Sequence, residues 1–415
     1  MKVVYPVCCG VDVHKSFLVA TVISTTSDPE PKYYRKRFST FNGDLKRFSE
    51  WLSDHHCNCV CMESTGKYWV PVYNILESCG ISVTIANPKW VKTVKGNKDD
   101  KKDSKWIGDL FRFGLVPGSF IPAKSFRILR EYTRYRYKLT SMKSSEKNRF
   151  QNAFTVCNVA LDSVVSDMFG KSASLITDYL ISDNNFDPAV CVSFLQKSLK
   201  KKSAAVLESI EGYCITSEQK IRIRTINDHL KYIETTISKL DSVIDTMTED
   251  FESEINLLCT IPGVKRDIAI TILAEIGNDL SQFGSSKRLN SWAGLAPGNN
   301  ESAGKKKSVH VSRAGVYIKP ALVQAAHAAV KSNDNPYYKN KYEKISKRRG
   351  KKRAIIAIAR MILTAVYAML SSGEIFNPTD LHKFDMPIIL KENQEAKAIK
   401  QAIELLKSKG ITTIT

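Results

Sequence analysis

The sequence predicts an α/β domain followed by a mostly α-helical remainder, on three observations. β-Rich runs open the chain as neighbours and then alternate with helical segments. From about Phe126 to Asp250 almost every stretch has helical periodicity, and one part of it keeps a strict heptad. Beyond Phe251 helical segments return, interrupted between 277 and 315 by frequent Gly and Ser.

Residues 3–12 and 16–24 read as two strands, the second through Phe17-Leu18-Val19-Ala20-Thr21-Val22-Ile23. A third run at 33–38 is rich in Tyr and Arg. Phe41, Leu45, Phe48 and Leu52 have the spacing of one helix face. Val60-Cys61-Met62 is a short buried strand, 66–76 a helix and Ile81 to Ile85 another strand, after which Asn87-Pro88 opens the next element. Asp100 and Asp103 stand at the start of a further helix. Paired strands first, then strands alternating with helices, make a mixed sheet covered by helices, an order that suits a ribonuclease-H-like fold.

In the middle region Ile223, Ile226, Leu230, Ile233, Ile237, Leu240, Ile244 and Met247 recur at alternating spacings of 3 and 4, the a/d seam of a coiled coil. Thr216 and Gln219 fit a capping box at its start. Two partners suit the seam: the helix around 126–160 of the same chain, or a second copy. Ile261-Pro262-Gly263-Val264 is a turn between helices. An apolar helix (Ala321 to Val330), a basic stretch (Lys339 to Arg353), a buried helix (354–370) and a polar tail complete the chain. The expected domains are 1–125, the mixed-sheet domain; 126–250, a helical linker and coiled coil; 251–375, a mostly helical C-terminal domain; and 376–415, the tail.

Across 415 residues, 62 Lys+Arg against 42 Asp+Glu leave a net charge of +20. Such an excess favours a polyanion, most often nucleic acid, through counterion release. A membrane surface fits less well, because the charge is spread over every region. The apolar start is broken by Pro6, Gly10 and Asp12, so no signal peptide is read there. The run Ala354 to Leu370 carries Arg360 and falls short of the roughly 20 residues of a span. The chain therefore reads as cytoplasmic, with its 10 cysteines as reduced thiols. Cys57, Cys59 and Cys61 alternate and would share one face of a strand, and no second ligand pair completes a zinc site.

Against this basic background the carboxylates Asp12, Glu63, Asp100 and Asp103 need their own explanation. Acids at two strand ends and on one helix face can converge, and converging carboxylates repel unless a cation lies between them. Mg²⁺ acting on phosphate is the simplest cation chemistry. Asp99 competes with Asp100, and Lys98 to Asp103 also reads as a solvated run of mixed charge. In the C-terminal third, Trp292 to Lys307 places Ser302 in a Gly-rich loop beside Lys305, Lys306 and Lys307, where a hydroxyl can approach a phosphate. Ser291, Ser308 and Ser312 compete with it. Two basic tracts suit nucleic-acid contact: Lys344, Lys347, Arg348, Arg349, Lys351, Lys352 and Arg353 with Tyr337, Tyr338 and Tyr342 nearby for stacking, and Arg127, Arg130, Arg134, Arg136 and Lys138 interleaved with Tyr132, Tyr135 and Tyr137.

The chain resembles the IS110-type transposases over nearly its whole length. GVDVHK at 10–15 is similar to the family's first Asp block and MESTGKYWVPVYNIL at 62–76 to its Glu block. NPKWVKTVKGNKDDKKDSKWIGDL at 87–110 is similar to the block whose usual form is G-x-K-T-D-x-x-D-A, with Asp99 in place of the Thr. IPGVKRDIAITILAEIG at 261–277 and FGSSKRLNSWAGLAP at 283–297 resemble later blocks, and Val311-Ser312-Arg313-Ala314-Gly315 the I-S-K-x-G segment. Lys265 stands where the second Gly of the hairpin is usual.

The resemblance implies a RuvC-like DEDD domain whose set is Asp12, Glu63, Asp100 and Asp103, holding Mg²⁺, with Ser302 as nucleophile. It implies donor and target double-stranded DNA as substrates, chosen by a structured guide (bridge) RNA, and a homo-oligomer in which dimers form a tetramer. Arg313 joins the two basic tracts and Lys305–Lys307 as a candidate nucleic-acid contact. The expected function is a transposase that exchanges DNA strands through a covalent phosphoserine. Its rivals are a RuvC-like, metal-dependent junction nuclease that uses water, and a non-catalytic nucleic-acid scaffold.

Overall fold

The structure, a computed structural model, describes residues 2–25, 30–64, 66–91, 100–182, 186–297, 300–302, 305–308, 310–333, 335–378 and 388–409, with the backbone alone at 89, 90, 100, 101, 300–302, 305–308, 388–395, 407 and 408. It divides into two compact units, Met1–Ile121 and Pro122–Thr415. The regions expected at 126–250 and 251–375 both fall within the second.

The first unit is a five-stranded sheet with helices on both faces. Its elements are β1 (Val7–Val13), β2 (Phe17–Ser24), β3 (Lys32–Ser39), α1 (Asn42–Asp54), β4 (Cys59–Glu63), α2 (Trp69–Ser78), β5 (Ser82–Ala86), α3 (Pro88–Val91) and α4 (Asp100–Arg112). The strand order is β3-β2-β1-β4-β5, with β1–β2 and β2–β3 antiparallel and β1–β4 and β4–β5 parallel. This is the mixed sheet that the order of runs predicts. The first strand begins at Val7 and not at 3, because Pro6 has no N–H for a ladder; Val4 and Tyr5 instead donate to the Arg112 carbonyl.

Alternation along the strands sorts the side chains onto two faces. Cys9, Val11 and Val13 of β1, Leu18, Ala20 and Val22 of β2 and Val60 and Met62 of β4 pack with Leu45, Phe48 and Leu52 of α1 and Val72 and Leu76 of α2. Cys8, Ile23 and Cys61 pack on the other face with Ile107 and Phe111 of α4. At Gly10 the backbones of β1 and α4 nearly touch: a Cβ there would lie 2.7 Å from Gly108 Cα and overlap the Ser104 carbonyl oxygen. Only glycine permits this approach.

The second unit begins with α5 (Lys124–Thr155), α6 (Lys171–Leu180), α7 (Pro188–Ser193), α8 (Ser203–Glu208) and α9 (Ser217–Thr248). Thr216 caps α9 as predicted: its hydroxyl accepts from the Gln219 N–H at 3.3 Å, and the Gln219 side chain accepts from the Thr216 N–H at 2.8 Å. The 32-residue helices α5 and α9, each about 48 Å long, run antiparallel, as the pairs Arg136–Asp241, Lys143–Glu234 and His229–Glu146 require. The buried seam residues Ile223, Ile226, Leu230, Ile233 and Ile244 thus belong to a helical hairpin within one chain.

The rest of the unit comprises α10 (Glu252–Cys259), α11 (Arg266–Ile276), α12 (Ser286–Trp292), the ribbon β6 (Asn300–Ser302) and β7 (Lys305–Ser308), α13 (Ile318–Ala329), α14 (Tyr337–Arg349), α15 (Lys351–Ser372) and α16 (Ile388–Ser408). The segment expected as a polar tail therefore contains a helix. Among the described residues α15 alone is long and apolar enough to cross a membrane. One side of it, from Ala354 to Met369, is buried where α15 packs with α12, α13 and α14.

Candidate active site and nucleic-acid surfaces

In the first unit the register brings two of the expected carboxylates together. β1 and β4 run parallel with Val11 opposite Met62, so Asp12 and Glu63 are the next residues on neighbouring strands, at the same C-terminal level. Both continue the α4-facing rows, Cys8-Gly10-Asp12 and Cys59-Cys61-Glu63. The close approach at Gly10 holds the first turns of α4 over β1. Asp103 directly precedes the buried Ser104 and sits one turn before Ile107, which packs against the sheet. Asp100 opens the helix; its side chain lies outside the described residues.

Ser104 is held from below. Its hydroxyl shares a 2.8 Å hydrogen bond with Thr21 of β2, and both residues are fully buried. Asp12 has a neighbour of its own: His14 Nε2 lies 3.2 Å from Asp12 Oδ2, and the His14 ring tilts against Phe17 at 4.6 Å. Among the described residues no three His, Cys, Asp or Glu side chains form a ready-made metal cage. The donor chemistry nevertheless fits a hard divalent cation. Mg²⁺ is commonly held by one or two carboxylates, with water and substrate phosphate completing the shell, and Asp12 and Glu63 are two such donors side by side.

The cysteine expectation is corrected in part. Cys59 and Cys61 lie on the α4 face, but Cys57 precedes β4 and packs in the opposite core with α1. Burial pushes the Cys57 and Cys61 thiols up to about 12 and Cys59 to about 11. They are protonated core groups.

In the second unit the stretch around Ser302 is a two-stranded ribbon where a loop was expected. Ser302 pairs with Lys305 and Glu301 with Lys306. The base of the ribbon is clamped by an antiparallel bridge between Pro297 and Val311 and by two left-handed glycines, Gly294 (φ 68°) and Gly315 (φ 68°). A Cβ on Gly315 would lie 2.7 Å from the Ala293 carbonyl carbon, and one on Gly294 2.9 Å from Lys319 Nζ. Lys319 donates to the Ser312 carbonyl at 2.6 Å. The side chains of Ser302 and Lys305–Lys307 lie outside the described residues. Of the competing serines, Ser291 is on α12 and Ser312 is exposed on the clamped segment that also carries exposed Arg313.

The two basic tracts differ. Lys344, Lys347, Arg348 and Arg349 at the end of α14 and Lys351, Lys352 and Arg353 at the start of α15 are all exposed around Gly350. Tyr337 and Tyr338, expected there as stacking residues, are buried against Phe376 instead. In the earlier tract, Arg134 holds Glu275 in a bidentate pair at 2.7 and 2.8 Å, and Arg130 lies 3.7 Å from the same carboxylate. Burial pulls Arg130 down to about 10, more than Glu275 raises it, and it still carries its charge at neutral pH. Arg136 pairs with Asp241 and Asp267. Arg130 and Arg134, expected to meet nucleic acid, thus have structural partners within the chain.

Sequence reasoning missed Glu275 and the Thr21–Ser104 pair. A single acid in the apolar run Ala269 to Ile276 signals a buried counter-ion. Thr21 inside an apolar strand is a weaker hint.

Residues 9–158 match a family model described as a transposase of the IS110 type with a DEDD domain, and residues 255–343 match one described as the transposase IS116/IS110/IS902 family. The chain belongs to the IS110 family of transposases. It is similar to the transposase for insertion sequence element IS1111A of Coxiella burnetii, 22% identical over 334 residues, 77% of this chain and 79% of that protein. It is also similar to the pilin gene-inverting proteins of Moraxella bovis and Moraxella lacunata, each 32% identical over 164 residues, covering 36% of this chain and 48% of theirs. As an IS110 transposase the chain is a DNA-modifying enzyme, and its DEDD domain points to dependence on a divalent metal.

Proposed function

We propose that this transposase cuts and rejoins DNA strands as a recombinase, with Asp12, Glu63, Asp100 and Asp103 holding Mg²⁺ and Ser302 as the nucleophile. The observation that carries the reading is the register that sets Asp12 beside Glu63 under the first turns of α4. The gene-inverting function named for the Moraxella proteins supports strand exchange over simple hydrolysis.

Bound Mg²⁺ would supply charge stabilisation at the phosphate and favour the serine alkoxide. Ser302 Oγ attacks phosphorus; an O–P bond forms, the P–O bond to one deoxyribose breaks, and the departing oxygen leaves as a hydroxyl after taking up a proton. The proton of Ser302 passes to solvent. The phosphoserine ester keeps the bond energy, so attack by another strand's hydroxyl reseals DNA without ATP. Lys305–Lys307, Arg313 and the tract Lys344–Arg353 bind backbone phosphates. A structured guide RNA selects donor and target DNA by base pairing, and subunits assemble as dimers into a tetramer.

Ser302→Ala is expected to abolish the covalent protein–DNA adduct, read as labelled DNA retained by denatured protein; a persisting adduct removes Ser302 from the reaction. Cleavage that persists without an adduct would leave the water-using nuclease. Asp12→Ala is expected to lose strand cleavage and keep DNA binding. Unchanged cleavage in that variant would falsify the carboxylate assignment. RNA recovered with the purified protein is expected to be one structured species; a random mixture counts against a guide.

A further inference from the structure

We propose that the edge strand β3 is a phosphate-positioning rail for the acidic site, Arg37 and Arg35 holding the backbone of the DNA strand presented to Asp12 and Glu63. The proposal rests on the reading of those carboxylates as the reaction centre. Strand register supplies the first support. Arg37 lies opposite Val19, which lies opposite Asp12; Arg35 lies opposite Thr21, which lies opposite Gly10. Residues in one cross-strand row share a face.

Contacts identify that face as the one bearing α4. Arg35 Nε lies 3.4 Å from Thr21 Oγ1, the hydroxyl that bonds Ser104, and Tyr33 donates to Asp109 of α4 at 3.1 Å. The alternate residues point the other way, Tyr34 onto His55 and Phe38 onto Phe48. Arg37 is therefore two strands from Asp12 on the same side of the sheet, about 10 Å at the usual strand spacing. A DNA strand rises about 3.4 Å per nucleotide, so this is a matter of about three nucleotides.

The guanidinium of Arg37 is also held in place. Its central carbon lies 3.8 Å above the Phe17 ring, Phe17 meets His14, and His14 meets Asp12. Both arginines are exposed, and among the described residues neither has a carboxylate partner. The plainer explanation is that charge on an edge strand only blocks edge pairing. Lys32 and Lys36 on the same strand would serve that purpose equally well, whereas a phosphate rail needs the two arginines on the α4 side.

The test is equilibrium binding by the full chain, in EDTA, to a short mixed-sequence DNA duplex and to an RNA duplex of the same sequence, as a function of salt. Arg37→Ala is expected to lower the DNA salt slope by about 0.9, the value for a single neutralised phosphate. The double variant with Arg35→Ala should lower it by roughly twice that. Arg37→Lys should keep the slope, and Arg47→Ala, an exposed arginine on α1, should leave it unchanged. A slope unaltered in both Arg37→Ala and the double variant overturns the proposal, as does a loss confined to RNA. A lowered slope not restored by Arg37→Lys, or matched by Arg47→Ala, overturns it too. Because binding in EDTA needs no cleavage, failure here leaves the carboxylate reading standing, and persistent cleavage by Asp12→Ala leaves the slope result standing.

Discussion

Residues 127–138 and 344–353 are both dense in Arg and Lys, and both lie on long helices of the second unit. In the first, Arg130 and Arg134 converge on the buried Glu275, and Arg136 pairs with Asp241 across the hairpin. In the second, every Lys and Arg from Lys344 to Arg353 is exposed, and the helix break at Gly350 spreads them around a corner. The difference comes from what lies opposite. α11 brings a buried acid to the first tract, whereas among the described residues no carboxylate pairs with Arg348, Arg349, Lys351, Lys352 or Arg353. Basic composition alone therefore does not mark a nucleic-acid surface.

The largest effect should come from breaking the first arrangement. Glu275→Ala removes the buried carboxylate shared by Arg130 and Arg134, leaving Arg130 only the Ala274 and Glu275 carbonyls as acceptors; breaking a buried pair in this way costs up to about 3–5 kcal/mol. Urea unfolding should show it, with Glu275→Gln less damaging because it keeps an acceptor for Arg134. A loss under about 1 kcal/mol would mean that Glu275 does not hold the tract in place.

Alkaline pH provides a counterpart in the first unit. Cys57, Cys59 and Cys61 have folded values of about 11 to 12 against an ordinary 9.0. Unfolded thiols lose protons first, so this contribution is intact below pH 9 and drains away as pH rises from there through the folded values. Near pH 10 it amounts to about 1 kcal/mol per thiol. Melting followed by the tryptophans of that unit should drop over this window, and Cys→Ala variants should flatten the drop. A melting profile that stays level from pH 8 to 11 would contradict the burial of these thiols.

Neutralising Arg348, Arg349, Lys351, Lys352 and Arg353 to Gln should act on binding alone. The DNA salt slope should fall by about 0.9 for each phosphate no longer neutralised, while each site changes stability by no more than about 0.5 kcal/mol. An unchanged slope would remove the second tract from the DNA surface. The smallest effect is expected at Arg136→Ala, whose pair with Asp241 is part-exposed: under about 1 kcal/mol by thermal melting.

Local pattern makes much of this molecule legible. The β-rich run Phe17 to Ile23, the heptad of Ile223 to Met247 and the Thr216/Gln219 box each predict the observed element, because each depends on near neighbours. The ribbon at 300–308 reads as a loop in sequence, since Asn-Glu-Ser and Lys-Lys-Lys-Ser carry little strand propensity and the pairing depends on a clamp formed elsewhere. Tyr337 and Tyr338 read as surface stackers because the basic residues after them mask a contact with Phe376, distant in sequence. For the candidate site, each acid can be found in the sequence, but the adjacency of Asp12 and Glu63 is a property of strand order. So is the row that links Arg37 to Asp12.

Gly10 and Gly108 touch no reactant, yet they act together as a spacer of no thickness between sheet and helix. A single methyl at Gly10 would lift the start of α4 and carry Asp103 away from its strand-borne neighbours. The missing side chain at Gly10 thus sets the gap that any bound cation must span, and selection could retune that gap from beneath the site without changing one of its ligands.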